Sequence, residues 1–327
     1  MSIIEKAVGG TGRLGADKSS GEVREKSTSV HRAGNQPQEN SRMPAGDSAV
    51  HSRPDTLQRT ASSGRMLNIP FDELRREGML TPSAPRSVIA DEYRNIKRPL
   101  LRNINGQGAA DIEFSNLIMV TSAIQGDGKT FSSINLALSI AMEMDKTVLF
   151  VDADVARANA GEVLGVPADS PGLIEVLERP DVSVEDVVYQ TNMEKLTIMP
   201  AGRPHANANE LLASEAMRKL MHDLSRRYTD RVVVFDSPPL LLTTEAAVLA
   251  SFVGQIVFVV KADTTPQHAV SEAIEQIGED KAIGLVFNRA QRSRFNRFGM
   301  GYGYGYGQGY GAQRRGAMDN NLPVSGT

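Results

Sequence analysis

Three segments of this chain hold side chains whose types and spacing suit chemistry on phosphate. The first is Ser122-Ala-Ile-Gln-Gly-Asp-Gly-Lys-Thr130, set directly after an apolar run at 117–121 and directly before a helical pattern at 131–142. In such a loop glycines let backbone N–H groups wrap a phosphate, a lysine reaches the β and γ oxygens, and a threonine hydroxyl ligates Mg²⁺. Gly126, Gly128, Lys129 and Thr130 supply these parts, and Asp127 and Phe131 complete the expected nucleotide-contacting stretch. Ala123 stands where the G-x-x-x-x-G-K-[ST] pattern has its first glycine. Taken alone, the loop also reads as a Gly-rich turn with an incidental lysine.

The other two segments are Val148-Leu-Phe-Val-Asp152-Ala-Asp154 and Val232-Val-Val-Phe-Asp236-Ser-Pro-Pro239. Each carries an apolar, β-branched run into carboxylates. Acidic groups at strand ends beside a phosphate loop can hold Mg²⁺ or accept a proton; capping a following helix is their plain alternative. Positions two apart on a strand point the same way, so Asp152 and Asp154 are expected to approach one metal or one incoming hydroxyl. That geometry suits a kinase or a water-activating ATPase.

These motifs need a scaffold that brings three strand ends together. Apolar runs at 117–121, 148–151, 196–199, 232–235, 256–260 and 283–287 alternate with helical stretches at 131–142, 173–177, 210–224, 245–251 and 266–277. Unbroken apolar strands alternating with helices predict an α/β fold, a parallel sheet covered on both faces, with its ligand at the carboxyl ends of the strands. Before them, a helix over 89–101 puts Ile89, Tyr93 and Ile96 on one face and lines Asp91, Arg94 and Lys97 on another. An ion-pairing stripe or a plain solvated face both fit that spacing. The reading is one folded domain at 66–290, an arm at 1–65 too poor in apolar residues to order, and a flexible tail at 291–327. Ile3, Ile4, Ala7 and Val8 have helical spacing, as a docking helix or as a fraying terminus.

Composition narrows the function classes. The 327 residues carry 36 Lys and Arg against 39 Asp and Glu, a formal net charge of −3, which argues against a basic nucleic-acid coat. The absence of cysteine excludes disulfides, thiolate metal sites and thiol catalysis. No run approaches the ~20 apolar residues of a membrane span, and Glu5 and Lys6 interrupt the first residues. The expectation is a cytoplasmic protein that meets a membrane only through a partner. Four of the seven tyrosines, Tyr302, Tyr304, Tyr306 and Tyr310, lie in a Gly-Tyr repeat flanked by Arg289, Arg292, Arg294, Arg297, Arg314 and Arg315. Alternate glycines remove side-chain packing, so the repeat is a spacer or an accessible substrate.

Together, Ala-Ile-Gln-Gly-Asp-Gly-Lys-Thr, Val-Asp-Ala-Asp, Val-Phe-Asp-Ser-Pro-Pro and the terminal tyrosines resemble the bacterial tyrosine kinases of exopolysaccharide and capsule synthesis. Met1-Ser-Ile-Ile-Glu-Lys-Ala, Gly78-Met-Leu-Thr-Pro82 and Glu92-Tyr-Arg-Asn-Ile-Lys-Arg-Pro-Leu-Leu101 look most like the exosortase-associated autokinases. The resemblance implies a P-loop fold, ATP with Mg²⁺, and autophosphorylation in trans of Tyr302, Tyr304, Tyr306 and Tyr310. It gives Thr130, Asp154 and Asp236 to the metal, Asp152 to the acceptor hydroxyl, Asn288 to the nucleotide base, and Asp91, Arg94 and Lys97 to ring assembly. A turn-forming role is the other reading of Asn288. Partners implied are other copies of the chain, a chain-length-determinant (Wzz-like) inner-membrane activator and a phosphotyrosine phosphatase. Gln125 replaces the usual proline, and Lys97 lacks the guanidinium fork of the arginine usual there. The MinD/ParA ATPases share this fold but carry a lysine where this chain has Ile124. They, and a nucleotide switch without catalysis, are the competing readings.

Overall fold

The computed structural model describes residues 3–6, 65–108, 111–226 and 230–290. Its nine strands are β1 (Ile3–Lys6), β2 (Arg65–Leu67), β3 (Leu117–Ser122), β4 (Thr147–Asp152), β5 (Tyr189–Thr191), β6 (Leu196–Met199), β7 (Arg231–Asp236), β8 (Gln255–Lys261) and β9 (Ala282–Asn288). They form one sheet in the order β1-β9-β8-β3-β7-β4-β6-β5-β2. Its helices are α1 (Phe71–Arg76), α2 (Val88–Ile104), α3 (Lys129–Ala141), α4 (Asn159–Val163), α5 (Leu173–Glu178), α6 (Val184–Val187), α7 (Ala208–Leu212), α8 (Glu215–Arg226), α9 (Thr244–Phe252) and α10 (Gln267–Glu275).

The central strands are buried on both faces, and their side chains sort by alternation. Ile118, Val120, Val148, Phe150, Val232 and Val234 join the core under α2 and α3. Their neighbours Leu117, Met119, Leu149, Val151, Val233 and Phe235 join the second core, under α5, α7, α8 and α9. This is the period-2 pattern of a sheet with helices on each side. All six strands expected from the apolar runs are present, each extended by at most a residue at either end.

The sheet is mixed where a fully parallel one was expected. β5 runs antiparallel to β6, and β1 antiparallel to β9. Ile3–Lys6 is therefore strand, paired along the sheet edge with β9, which corrects the docking-helix reading. The stretch 210–224 is two helices, α7 and α8, broken at Ala213 and Ser214, and Ser214 Oγ accepts from the Met217 N–H at the start of the second. The segments read from the sequence as an arm and a tail, including the tyrosine cluster, lie outside the described residues apart from β1 and Arg65.

Helix α2 carries a second correction. Asp91 and Arg94 pair on the exposed side, but Lys97 does not continue their stripe. It is 5% exposed, and its Nζ lies 2.6 Å from Glu143 Oε1 and donates to Ser139 O at 2.5 Å. Residues six apart on a helix are separated by ~600° of rotation, so Lys97 stands ~120° round from Asp91 and turns toward α3. Among the described residues no helix is long and apolar enough to cross a membrane.

Candidate active site

Strands β3, β7 and β4 are neighbours and end together, with Val120 opposite Asp236 and Asp236 opposite Asp152 in register. Their register places the phosphate loop beside both acidic segments. Backbone bonds fasten the three strand ends: Ala153 N–H donates to Asp236 O, Ser237 N–H to Val120 O and Leu240 N–H to Ser122 O. Thr121 Oγ1 donates to Pro238 O at 2.9 Å, holding the segment after Asp236 against the loop.

Gly126 and Gly128 have φ of +88° and +94°, left-handed values that favour glycine and turn successive N–H groups inward. A Cβ at Gly128 would collide with the Asn288 side-chain amide. Helix α3 begins at Lys129, so its positive end and free N–H groups face the same space. A cleft of about 370 Å³ opens there, lined by Gln125, Gly126, Gly128, Lys129, Thr130, Phe131, Asp154, Arg157, Pro238, Pro239, Leu242 and Thr243 among others.

Asp236 is wholly buried beside Thr130, whose Oγ1 donates to Asp236 Oδ2 at 2.8 Å. Burial pushes its carboxyl up to about 6, against the opposing pull of the Thr130 hydrogen bond and the Lys129 ammonium. Its Oδ1 is buried and has no hydrogen-bond partner, as is Asp152 Oδ1. Burial, reinforced by Asp236, raises the Asp152 carboxyl well above the ordinary range, while Gly161 N–H donates to its Oδ2 at 3.0 Å. Asp154 is also raised by burial, but Lys129 holds it down. Bare carboxylate oxygens this deep are costly unless a cation completes them. Among the described residues no group of three or more His, Asp or Glu forms a metal cage. Mg²⁺ fits here all the same, because it is commonly held by one or two carboxylates plus substrate phosphates.

The family described as an AAA domain matches residues 115–282, spanning β3 to the start of β9 and the whole cleft. The chain belongs to this family. Several of its relatives are named tyrosine-protein kinases of bacteria. The kinase domain of VpsO is 32% identical with a TM-score of 0.53, over 68% of this chain and all of that one. Tyrosine-protein kinase YwqD of Bacillus subtilis is 26% identical over 232 residues, 68% of this chain and 91% of YwqD. The succinoglycan biosynthesis transport protein ExoP of Rhizobium meliloti is 29% identical over 235 residues, 70% of this chain but 28% of ExoP. The chain thus spans nearly all of YwqD and less than a third of ExoP. The resemblance to bacterial tyrosine kinases, and the P-loop α/β fold it implied, are borne out.

Within this AAA-domain fold, Lys129, Thr130, Asp154 and Asp236 come together as the motifs implied. Asp152 and Asp154 do not project alike. Strand β4 stops at Asp152, so the two-residue rule ends there, and Asp154 alone reaches the cleft while Asp152 is sealed beneath it. Asn288 is also spent elsewhere: its Nδ2 donates to Asp127 O at 2.9 Å and its Oδ1 accepts from Arg289 N–H. It supports the loop from behind and does not line the cleft. Asp127 likewise turns away, accepting from Thr265 Oγ1 at 2.7 Å with its Oδ2 left bare. Sequence reasoning missed Thr265 and the wall formed by Pro238, Pro239, Leu242 and Thr243. The run Asp236-Ser-Pro-Pro239 was in view, but nothing in it signals which way the following residues face.

Proposed function

We propose that the chain is an ATP- and Mg²⁺-dependent protein-tyrosine kinase that phosphorylates Tyr302, Tyr304, Tyr306 and Tyr310 of another copy. The observation that carries this reading is the convergence of Lys129, Thr130 and Asp154 in one cleft, with Asp236 buried behind Thr130 and bonded to it, in a chain with relatives named tyrosine kinases. Residues Gly126–Thr130 and Lys129 hold the phosphates of ATP. Thr130 and Asp236 would hold Mg²⁺, which when bound would supply charge neutralisation at the transferring group. In the transfer a bond forms from the phenolic oxygen to the γ-phosphorus, the bond to the β,γ-bridging oxygen breaks, and ADP leaves with that electron pair. Asp154, the carboxylate in the cleft, takes the phenolic proton in place of the sealed Asp152. Most of the rate gain comes from positioning and from charge stabilisation in a partly dry site.

The biological setting follows from the relatives. ExoP is named for succinoglycan biosynthesis, and we extend this to regulation of exopolysaccharide polymerisation or export by this chain, as in the exosortase-associated autokinases its motifs resemble. A Wzz-like inner-membrane partner would hold it at the cytoplasmic face, copies would assemble in a ring for trans-phosphorylation, and a phosphatase would reset it. Each phosphate adds about −1.5 to −2 charges, so four convert a segment with six arginines from basic to acidic.

Incubation of the purified chain with Mg·ATP, followed by mass-spectrometric mapping, tests the reading. Phosphotyrosine between Tyr302 and Tyr310 is expected. Phosphate release without protein labelling would replace the kinase with an ATPase.

A further inference from the structure

The active-site cleft is built from two chemically different halves. Lys129, Thr130, Asp154, Arg157 and the loop backbone make one half, and Pro238, Pro239, Leu242 and Thr243 make the other. All the lining residues come from the segments after β3, β4 and β7, and none from those after β8 or β9. The apolar half therefore follows directly after Asp236 along the chain and shares the cleft with Asp154, while Asn288 does not line it.

Leu242 is 60% exposed, and of the four large exposed apolar residues among those described it alone lines the cleft. Pro239 O accepts from the Leu242 N–H, and Leu240 and Leu241 N–H groups are tied to Ser122 and Ala123, so the lip is fixed to the phosphate loop. Beside it Thr243 occupies the N-cap of α9 without making the usual side-chain cap bond, and its Oγ1 is buried with no partner.

We infer that Pro238, Pro239 and Leu242 form the subsite for the acceptor's aromatic ring. This rests on the kinase reading. The occupant is a tyrosine from the Gly-Tyr repeat at 301–311 of another copy, whose alternate glycines let a ring pass between apolar walls without neighbouring side chains. An apolar wall beside the phosphate loop matches the ring, and would discriminate tyrosine from serine or threonine, which have no ring to place against it.

The test uses full-length protein carrying Tyr302→Ala, Tyr304→Ala, Tyr306→Ala and Tyr310→Ala, so that an added Gly-Tyr-Gly-Tyr-Gly-Tyr-Gly peptide has the subsite to itself. Peptide affinity is titrated with Mg²⁺ and a non-hydrolysable ATP analogue, and peptide phosphorylation is measured separately with ATP. Leu242→Ala is expected to weaken peptide binding and raise the peptide KM about 10-fold, with analogue affinity and melting temperature unchanged, and Leu242→Met to restore binding to within about threefold. Peptide binding that ignores Leu242, no binding at all, or an equal loss of analogue affinity overturns the subsite. Binding that depends on Leu242 without any phosphotyrosine formed keeps the subsite and removes the kinase reading.

Discussion

Thr130 Oγ1 donates to Asp236 Oδ2 at 2.8 Å, while the other oxygen of that carboxylate is buried with no partner. The pair links the first turn of the helix that follows the phosphate loop to the end of β7. In the proposed reading this pair is where Mg²⁺ would be held, the bare oxygen being open to a cation.

Asp236→Asn is expected to raise stability and remove activity together. The folded-state value of about 6 lies above the ordinary 3.8, so the native state holds this proton more tightly than the unfolded chain does. The contribution is full below pH 3.8 and is lost as pH rises through about 6. At roughly 1.4 kcal/mol per tenfold change in proton affinity, the loss is at most about 3 kcal/mol at neutral pH. Without Mg²⁺, the variant should melt several degrees above wild type at pH 7.5 and with it at pH 4, while phosphoryl transfer falls at least ~100-fold. Equal melting temperatures at pH 7.5 would show that the carboxylate is relieved by some other means.

Lys129→Met should cut tyrosine phosphorylation by at least ~100-fold, since in the proposed reading this ammonium would face the transferring phosphate. It also restrains the proton affinities of Asp154 and Asp236. Losing it raises both further, so Mg²⁺ binding in the variant should need a higher pH than in wild type. Isothermal titration at pH 6 and pH 8 reads this shift, and near-wild-type transfer would rule out the assigned role.

How much of this was legible beforehand depends on how local each signal is. The central strands announced themselves because burial on both faces needs runs such as Val232–Val233–Val234, and the loop because Gly128 must adopt a left-handed φ ahead of Lys129. Side-chain direction beyond a strand end is not local. Asp152 and Asp154 diverge because β4 stops between them, and Lys97 turns inward because Ser139 of α3 offers a carbonyl and Glu143, just beyond that helix, a carboxylate. Strands β2 and β5, three residues each, are stabilised by their neighbours in the sheet and leave too short a period to read.

Thr265→Val tests the buttress behind the phosphate loop. The Thr265 hydroxyl donates to Asp127 Oδ1 and accepts from Lys261 N–H at 3.1 Å, and Asp127 Oδ2 is already bare. Removing the hydroxyl leaves a buried carboxylate without this donor, at a cost of about 1–3 kcal/mol. Adding Asp127→Ala removes the stranded charge and should recover part of that loss, so the two changes are non-additive. Urea unfolding of the two single variants and the double variant measures the coupling; strict additivity would mean the contact carries no weight.

Lys97 is the place where assembly and folding give opposite expectations. Its ammonium is enclosed between Ser139 O and Glu143 at the end of α3, where the last helix carbonyls lack donors from their own helix. Lys97→Met keeps the stem and removes the charge, leaving a buried carbonyl without this donor at about 1–2 kcal/mol, or about 2–4 °C in melting temperature per kcal/mol for a domain of this size. The exposed Asp91–Arg94 pair is worth at most about 1 kcal/mol, so Arg94→Ala should barely move the melting curve. If α2 joins copies through its outer face, native mass measurements should lose assembly with Arg94→Ala and keep it with Lys97→Met. The reverse pattern, assembly lost with Lys97→Met at an unchanged melting temperature, would place Lys97 at the interface and require it to leave α3 when copies meet.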